Sequence, residues 1–477
     1  MAREGQSDTP SPAEDDFSIR TLVKGFWVRG EDESPQVFWA CSLVYLGIGL
    51  VVFSLAHSHA NSIESLGVIL VLLGWLADKT WRRDWKLKNN PLHAPLALVV
   101  VTTLLSLLST RDPIYSLNEL RGELCTYVPL FYAVADFCTS RKRIYSLIVI
   151  FLVDNLLALL FYAFLIYLND FSQERFVHFI ELSKFYSQRI HVLSTYFLFC
   201  ASFFYAALYF VKKKKEFLLI ILPFSVNLYF LSLAYQRAVV VAMAAVSFVP
   251  LLFFRKAVSR RALLVLPVTL AGLALLIFVT PMKSRLIDMT WRSVSQWQQN
   301  MSLDRSDIDQ ERILWVVDFW KDFTKRPLFG VGYGKGNLSK ENRQAGLPKG
   351  PGDTHNTFTN VAAQTGLQGL AALLYLLFMQ VRLLLQGVRR ATRRFDRVFF
   401  VGSLCYMLGF WLRLQANDIY NSGSALVYWI MIGLAVGLWR LLDRDKDGPG
   451  NPGLKQQPPP PGPALPLPGQ ADSGNSG

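Results

Sequence analysis

Apolar residues in this chain fall in long, nearly unbroken stretches separated by short polar ones, not in the one-sided spacing of a helix with a wet face. Roughly 20 apolar residues carry a helix across the hydrocarbon core of a bilayer. Twelve stretches fit that length, near 37–57, 64–78, 92–109, 123–138, 144–168, 191–211, 216–233, 237–254, 262–280, 366–386, 397–414 and 423–442. The second is short and the fourth contains Glu123 and Asp136, so these two are the weakest. The pattern predicts an all-α polytopic membrane protein of about 12 transmembrane helices. Its one large loop, 281–365, falls between the ninth and tenth of them.

Charge supplies an independent test, because Lys and Arg mark the cytoplasmic loops of membrane proteins. Arg20, Lys24 and Arg29 precede the first stretch; Lys79, Arg82, Arg83, Lys86 and Lys88 follow the second; Arg141, Lys142 and Arg143 follow the fourth. Lys212 to Lys215 follow the sixth, Arg255, Lys256, Arg260 and Arg261 the eighth, Arg389 to Arg397 the tenth, and Arg440, Arg444 and Lys446 the twelfth. The alternate loops, such as 57–64 and 415–422, are poor in basic residues. Both termini are therefore expected in the cytoplasm and the 281–365 loop outside it.

Composition agrees with a bilayer solvent: 52% of the residues are apolar, above the soluble average. The net charge of +14 could suggest nucleic acid, but its placement in alternate loops is topological and argues against that partner. Five scattered cysteines, Cys41, Cys125, Cys138, Cys200 and Cys405, contain no C-x-x-C pair, which speaks against a disulfide framework or a cysteine zinc site. The segment 1–30 is polar and has no apolar core followed by a small-residue cleavage site, so no cleaved signal peptide is expected. The membrane domain spans 31–446. The tail 447–477 is rich in Pro and Gly and is expected to be disordered.

The outer loop concentrates the candidate chemistry. Ser306 with Asp307 and Asp309 reads as a helix start, and Arg312, Ile313, Trp315, Val316, Phe319 and Trp320 continue as an amphipathic helix that Pro327 stops. The run from Pro327 to Gly336 alternates glycines (Gly330, Gly332, Gly334, Gly336) and reads as a tight turn or a close approach of backbone to a ligand; the strand-and-helix frame of a nucleotide loop is missing. His355-Asn356 is followed after nine residues by Gly366-Leu367-Gln368-Gly369. A neutral histidine at the membrane face can take a proton from a hydroxyl, although a lone loop histidine is more commonly only solvated. The glycines alone read as close helix packing.

Arg189, Arg237 and Arg312 lie at outer helix ends or on the loop helix. A guanidinium fork matches phosphate oxygens; the competing reading is a side chain that reaches to the interface. Asp304, Asp307 and Asp309 fit either a divalent cation or helix capping, and Ser306 favours capping. Asp154, deep in the fifth stretch beside Asn155, reads as an interhelical hydrogen bond or an ion path, with no basic partner evident in the sequence.

These elements together resemble the O-antigen ligase and O-antigen polymerase superfamily of bacterial envelope glycan enzymes. The residues that carry the resemblance are Arg312-Ile313-Leu314-Trp315, Pro327 to Gly332, and His355-Asn356 with Gly366 and Gly369. The resemblance implies an inner-membrane glycosyltransferase whose site faces the periplasm. It would transfer a preassembled glycan from undecaprenyl diphosphate to a lipid A-core hydroxyl in lipopolysaccharide biosynthesis. It further implies that His355, Arg312 and Arg237 are catalytic, that Arg189 helps to hold the diphosphate, and that neither a cofactor nor a metal is required. The partners are then the lipid-linked donor, the lipid A-core acceptor and membrane lipids. A polymerase joining lipid-linked repeats is the alternative within the superfamily, and a lipid-linked glycan transporter or flippase the alternative of another class.

Overall fold

The computed structural model describes residues 34–57, 61–110, 112–170, 190–211, 213–233, 237–254, 262–279, 319–320, 323–324, 326–334, 356–416 and 422–446. Among them there is no β-strand. The chain runs α1 (Pro35–His57), α2 (Asn61–Arg82), α3 (His93–Ser106, prolonged by a 3-10 turn to Ser109), α4 (Pro113–Phe137), α5 (Arg141–Leu168), α6 (Ile190–Phe210), α7 (Lys214–Leu233), α8 (Arg237–Val246), α9 (Val249–Phe254), α10 (Ala262–Val279), α11 (Thr357–Arg390), α12 (Arg394–Arg413, then a 3-10 turn Leu414–Ala416) and α13 (Ser422–Lys446). The polar terminal segments 1–30 and 447–477 and most of the 281–365 loop lie outside the described residues.

Every expected apolar stretch is helical, but seven helices are long and apolar enough to cross a membrane: α1, α5, α6, α7, α11, α12 and α13. The stretches that make α3, α8 with α9, and α10 are apolar but shorter. The two remaining long helices, α2 and α4, are the second and fourth stretches, the one expected to be short and the one that contains Glu123 and Asp136. Asp112 caps α4 by accepting the Tyr115 N–H at 3.1 Å, and Pro113 follows at the first helical position. The helix therefore starts ten residues before its apolar stretch.

The eighth stretch is not one helix. Pro250 has no N–H, and its ring would clash with the carbonyl four residues back, so the helix ends at Val246 and restarts at Val249. The break is satisfied locally: Ser247 Oγ donates to the Met243 carbonyl at 2.7 Å, and Tyr205 OH donates to the Ser247 carbonyl.

Ion pairs bind the basic ends of the helices into one face. Lys79 and Arg440 both meet Asp136, at 2.8 and 3.3 Å; Arg141 meets Asp396 and Asp445, at 3.2 and 2.6 Å; Arg390 meets Asp443, at 2.9 Å; and Arg394 meets Glu216, at 3.2 Å. Asp136, which weakened the fourth stretch, is thus a buried acid at the basic end of α4 with two cations of its own.

α1 and α2 cross closely because a Cβ on Gly47 would lie 2.6 Å from the Gly67 carbonyl oxygen, and one on Gly67 2.7 Å from that of Gly47. Small residues of this kind let two backbones approach where lipid offers no hydrophobic drive. α13 is buried along most of its length, with Tyr428, Ile430, Ile432 and Val436 inaccessible, and stands at the centre of the bundle. α5, by contrast, exposes Leu152, Leu156, Leu157 and Leu160, an apolar outside that suits lipid and not water.

Candidate functional site

The end of the bundle opposite the basic face gathers the start of α11, the end of α12 and the glycine run. α11 begins at Asn356, whose side chain accepts from Phe358 N–H at 3.0 Å and Thr359 N–H at 3.2 Å, satisfying two of the donors that a helix start leaves unpaired. Its amide Nδ2 donates to Gln415 Oε1 at 2.9 Å, in the turn that ends α12. One residue therefore caps one helix and ties it to another. This assigns a physical role to the Asn of the His-Asn pair.

Ten residues on from Asn356, α11 kinks. Gly366 has φ 73° and ψ −171°, a conformation open to glycine alone among ordinary residues. A helix would pair Leu367 N–H with the Ala363 carbonyl and Gln368 N–H with that of Gln364. Here the glycine run takes over three of these groups: Leu367 N–H donates to the Pro327 carbonyl at 2.8 Å, Val331 N–H to Ala363 at 2.8 Å, and Gly332 N–H to Gln364 at 3.1 Å. Gly334 N–H also donates to the Gln364 side chain at 3.1 Å. The run and the kink are two halves of one joint.

The glycines are required by proximity as well. A Cβ on Gly330 would lie 2.4 Å from the Ala363 oxygen and one on Gly366 2.0 Å from the Leu328 oxygen, both against backbone that cannot step aside. The expectation that Gly366 and Gly369 mark close helix packing is thus corrected in kind for Gly366: its neighbour is a loop, and its service is conformational. A tight turn, the plainer expectation for the run, describes its shape but not its partner.

The joint is anchored on its other side. Arg326 Nη1 donates to the Ser109 carbonyl at 2.6 Å, Ser116 Oγ donates to the Tyr333 carbonyl at 2.6 Å, and Tyr333 OH donates to Glu123. The charge that made the fourth stretch a poor membrane span therefore holds the glycine run. Just upstream, Phe319 is buried against Val331, Ala362 and Ala363, and its ring stacks with Trp320 and Phe323 at 5.9 Å each. The last turn of the expected loop helix thus rests on the start of α11.

Arg237 opens α8 and is half-buried. Val246, at the other end of α8, sits beside α12, where a Cβ on Gly409 would lie 3.2 Å from its side chain. Nine residues of helix, about 13 Å, then bring Arg237 towards the end of the bundle where α12 finishes and α11 starts. Arg189, Arg312, Trp315 and His355, with Asp304, Asp307 and Asp309, lie outside the described residues.

Two side chains at this end escaped the sequence reading. Arg413 is buried at the end of α12, where its Nη1 donates to Ser424 Oγ at 3.3 Å, and Ser424 in turn donates to Thr195 Oγ1 at 3.2 Å. Gln415 holds Asn356. The available signal was an arginine at the non-basic end of an apolar stretch, the same signal that singled out Arg237. Asp154 also changes standing: His57 Nε2 lies 3.3 Å from one of its oxygens and Tyr196 OH donates to the other at 2.6 Å, so it has a basic partner on a different helix.

Residues 218–374 match the protein-family model described as O-antigen ligase. The match starts in α7 and ends in α11, so it takes in Arg237, the outer loop, Asn356 and the Gly366 kink. It bears out the resemblance to the O-antigen ligase superfamily and supports a ligase- or polymerase-type function in O-antigen processing. No curated protein matches the chain significantly.

Proposed function

We propose that this chain, with its O-antigen ligase stretch at 218–374, transfers a preassembled glycan from undecaprenyl diphosphate to a hydroxyl of the lipid A core. The site lies at the outer face of the bacterial inner membrane. The observation that supports this best is the joint around α11: Asn356 is pinned to Gln415 at one end of the first turns, and the glycine run clamps the Gly366 kink at the other. Proximity catalysis demands helix ends held at set positions relative to one another, and these contacts hold the start of α11 in that way.

In this reading His355 takes the proton of the acceptor hydroxyl as its oxygen attacks the anomeric carbon of the donor. The bond from that carbon to the diphosphate oxygen breaks, and undecaprenyl diphosphate leaves with the electron pair. Arg237 and Arg312, joined by Arg189, meet the growing charge on the leaving group. Removal of one well-placed donor of this kind typically costs about 3 to 4 kcal/mol of transition-state stabilisation. A single in-line displacement inverts the configuration at the anomeric carbon, and the step needs no metal because the guanidinium groups supply the positive charge.

Purified protein incubated with an undecaprenyl-diphosphate glycan and lipid A core should place glycan on lipid A. Chain lengthening without product on lipid A would make the protein a polymerase, and translocation of the donor without any transfer would make it a transporter. His355→Ala should abolish transfer while the protein still inserts and binds donor; full activity in that variant would remove His355 from the mechanism.

A further inference from the structure

A cavity lies at the basic end of the bundle, away from the joint just described. The end of α6, the start of α7 and the first half of α10 enclose this cavity of about 390 Å³. Its walls are apolar, from Leu208, Phe217, Ile221, Leu264 and Val265, and Lys213 and Lys214 stand at its mouth. Both lysines are exposed, and Lys213 pairs with Glu216 at 4.0 Å. Glu216 itself is engaged by Arg394 at 3.2 Å, so the mouth keeps a positive balance.

One polar group is set into this apolar wall. Thr269 is 2% exposed, lines the cavity, and its Oγ1 has no hydrogen-bond partner among the described residues. A buried hydroxyl without a partner is destabilising, so its position at the cavity calls for an acceptor inside it. Thr269 is seven residues into α10, about 10 Å along the axis from its first residue. Exposed ammonium groups, a buried hydroxyl and apolar walls lining one cavity match the phosphate, ester carbonyl and acyl chain of a glycerophospholipid. Basic pockets between membrane helices are known to hold anionic headgroups.

We propose that this cavity is a binding site for one anionic glycerophospholipid, with the phosphate on Lys213 and Lys214, an ester carbonyl accepting from Thr269 Oγ1, and an acyl chain between α6, α7 and α10. Unlike the lipid that surrounds the bundle everywhere, this molecule is selected by headgroup charge.

The test is native mass spectrometry of the full-length protein, released from detergent after exchange with phosphatidylglycerol or phosphatidylcholine. Phosphatidylglycerol should remain bound at activation energies that strip phosphatidylcholine. A K213Q/K214Q variant should lose that preference at least tenfold. Leu264→Trp, which adds bulk at an exposed lining position without disturbing the core, should lower retention of both lipids. Thr269→Val should weaken phosphatidylglycerol by several-fold with the charge preference intact. Equal retention of the two lipids by the unaltered protein would overturn the proposal, as would unchanged retention in both K213Q/K214Q and Leu264→Trp. A dimer that Leu264→Trp dissolves, with no lipid adduct in either form, would place a second copy of the chain on this face instead.

Discussion

Gly366 shows how much can rest on one missing side chain. Its φ of 73° and the 2.0 Å between a notional Cβ and the Leu328 oxygen leave alanine no place without moving the glycine run. We expect Gly366→Ala to cost about 1 to 3 kcal/mol of stability and to lower glycan transfer at least tenfold. Thermal unfolding and the transfer assay would measure the two effects. Gly272→Ala is the control, because a Cβ there meets nothing within 4 Å and a helical Gly→Ala exchange is neutral or mildly stabilising. Equal effects at both positions would show that the kink has no special standing. The need for glycine at 366 was visible in the G-x-x-G spacing, but its reason was not, since the same letters serve helix packing and helix breaking alike.

At the scale of the element, polar residues inside apolar helices act as pairs. Asn155 on α5 and Asn227 on α7 exchange reciprocal amide hydrogen bonds of 3.0 and 3.1 Å, both fully buried. Replacing either by Leu takes both interhelical bonds from the other amide, Asn227 Nδ2 keeping only its donation to the Pro223 carbonyl at 2.7 Å, at a cost of about 0.6 to 2 kcal/mol in a membrane. The double replacement removes the need along with the partner. A double-mutant cycle read by reversible unfolding in detergent should therefore show a double variant less destabilised than the sum of the singles, and strict additivity would mean that the pair is not coupled. Asn155 was noticed beside Asp154 in the sequence as a candidate for interhelical bonding. Its partner, 72 residues away, and the His57 contact of Asp154 were not, because nothing in local spacing says which helices will be neighbours.

For the whole molecule, ion pairs from seven helix ends, at Lys79, Asp136, Arg141, Glu216, Arg390, Arg394 and Arg440, share one face, while Asn356, Gln415 and the glycine run share the opposite end. The positive-inside rule assigns the first to the cytoplasm. In a Cys125→Ser background, which removes the exposed native thiol, a cysteine at exposed Leu328 should react with a membrane-impermeant maleimide in spheroplasts, and one at exposed Lys86 only after permeabilisation. The reverse pattern would invert the orientation and remove the periplasmic site from the proposal.

Apolar stretch length and the placement of Lys and Arg were enough to determine an all-helical, multi-pass membrane architecture, roughly where its apolar helices lie, and which of their ends share a face. These are properties of single segments in contact with a known solvent, so they can be read one segment at a time. The spacing of His355, Asn356 and Gly366 likewise pointed to the O-antigen ligase superfamily, which the match over 218–374 bears out. Only tertiary structure decided that the glycine run closes the broken turn at Gly366, that Gln415 holds Asn356, that Pro250 splits the eighth stretch with Tyr205 covering the break, and that Glu123 and Asp136 are anchors at the two ends of α4. Each depends on a hydrogen bond or charge finding its partner on another element, and in a low-dielectric bundle an unmet polar group is costly enough to make that partner obligatory.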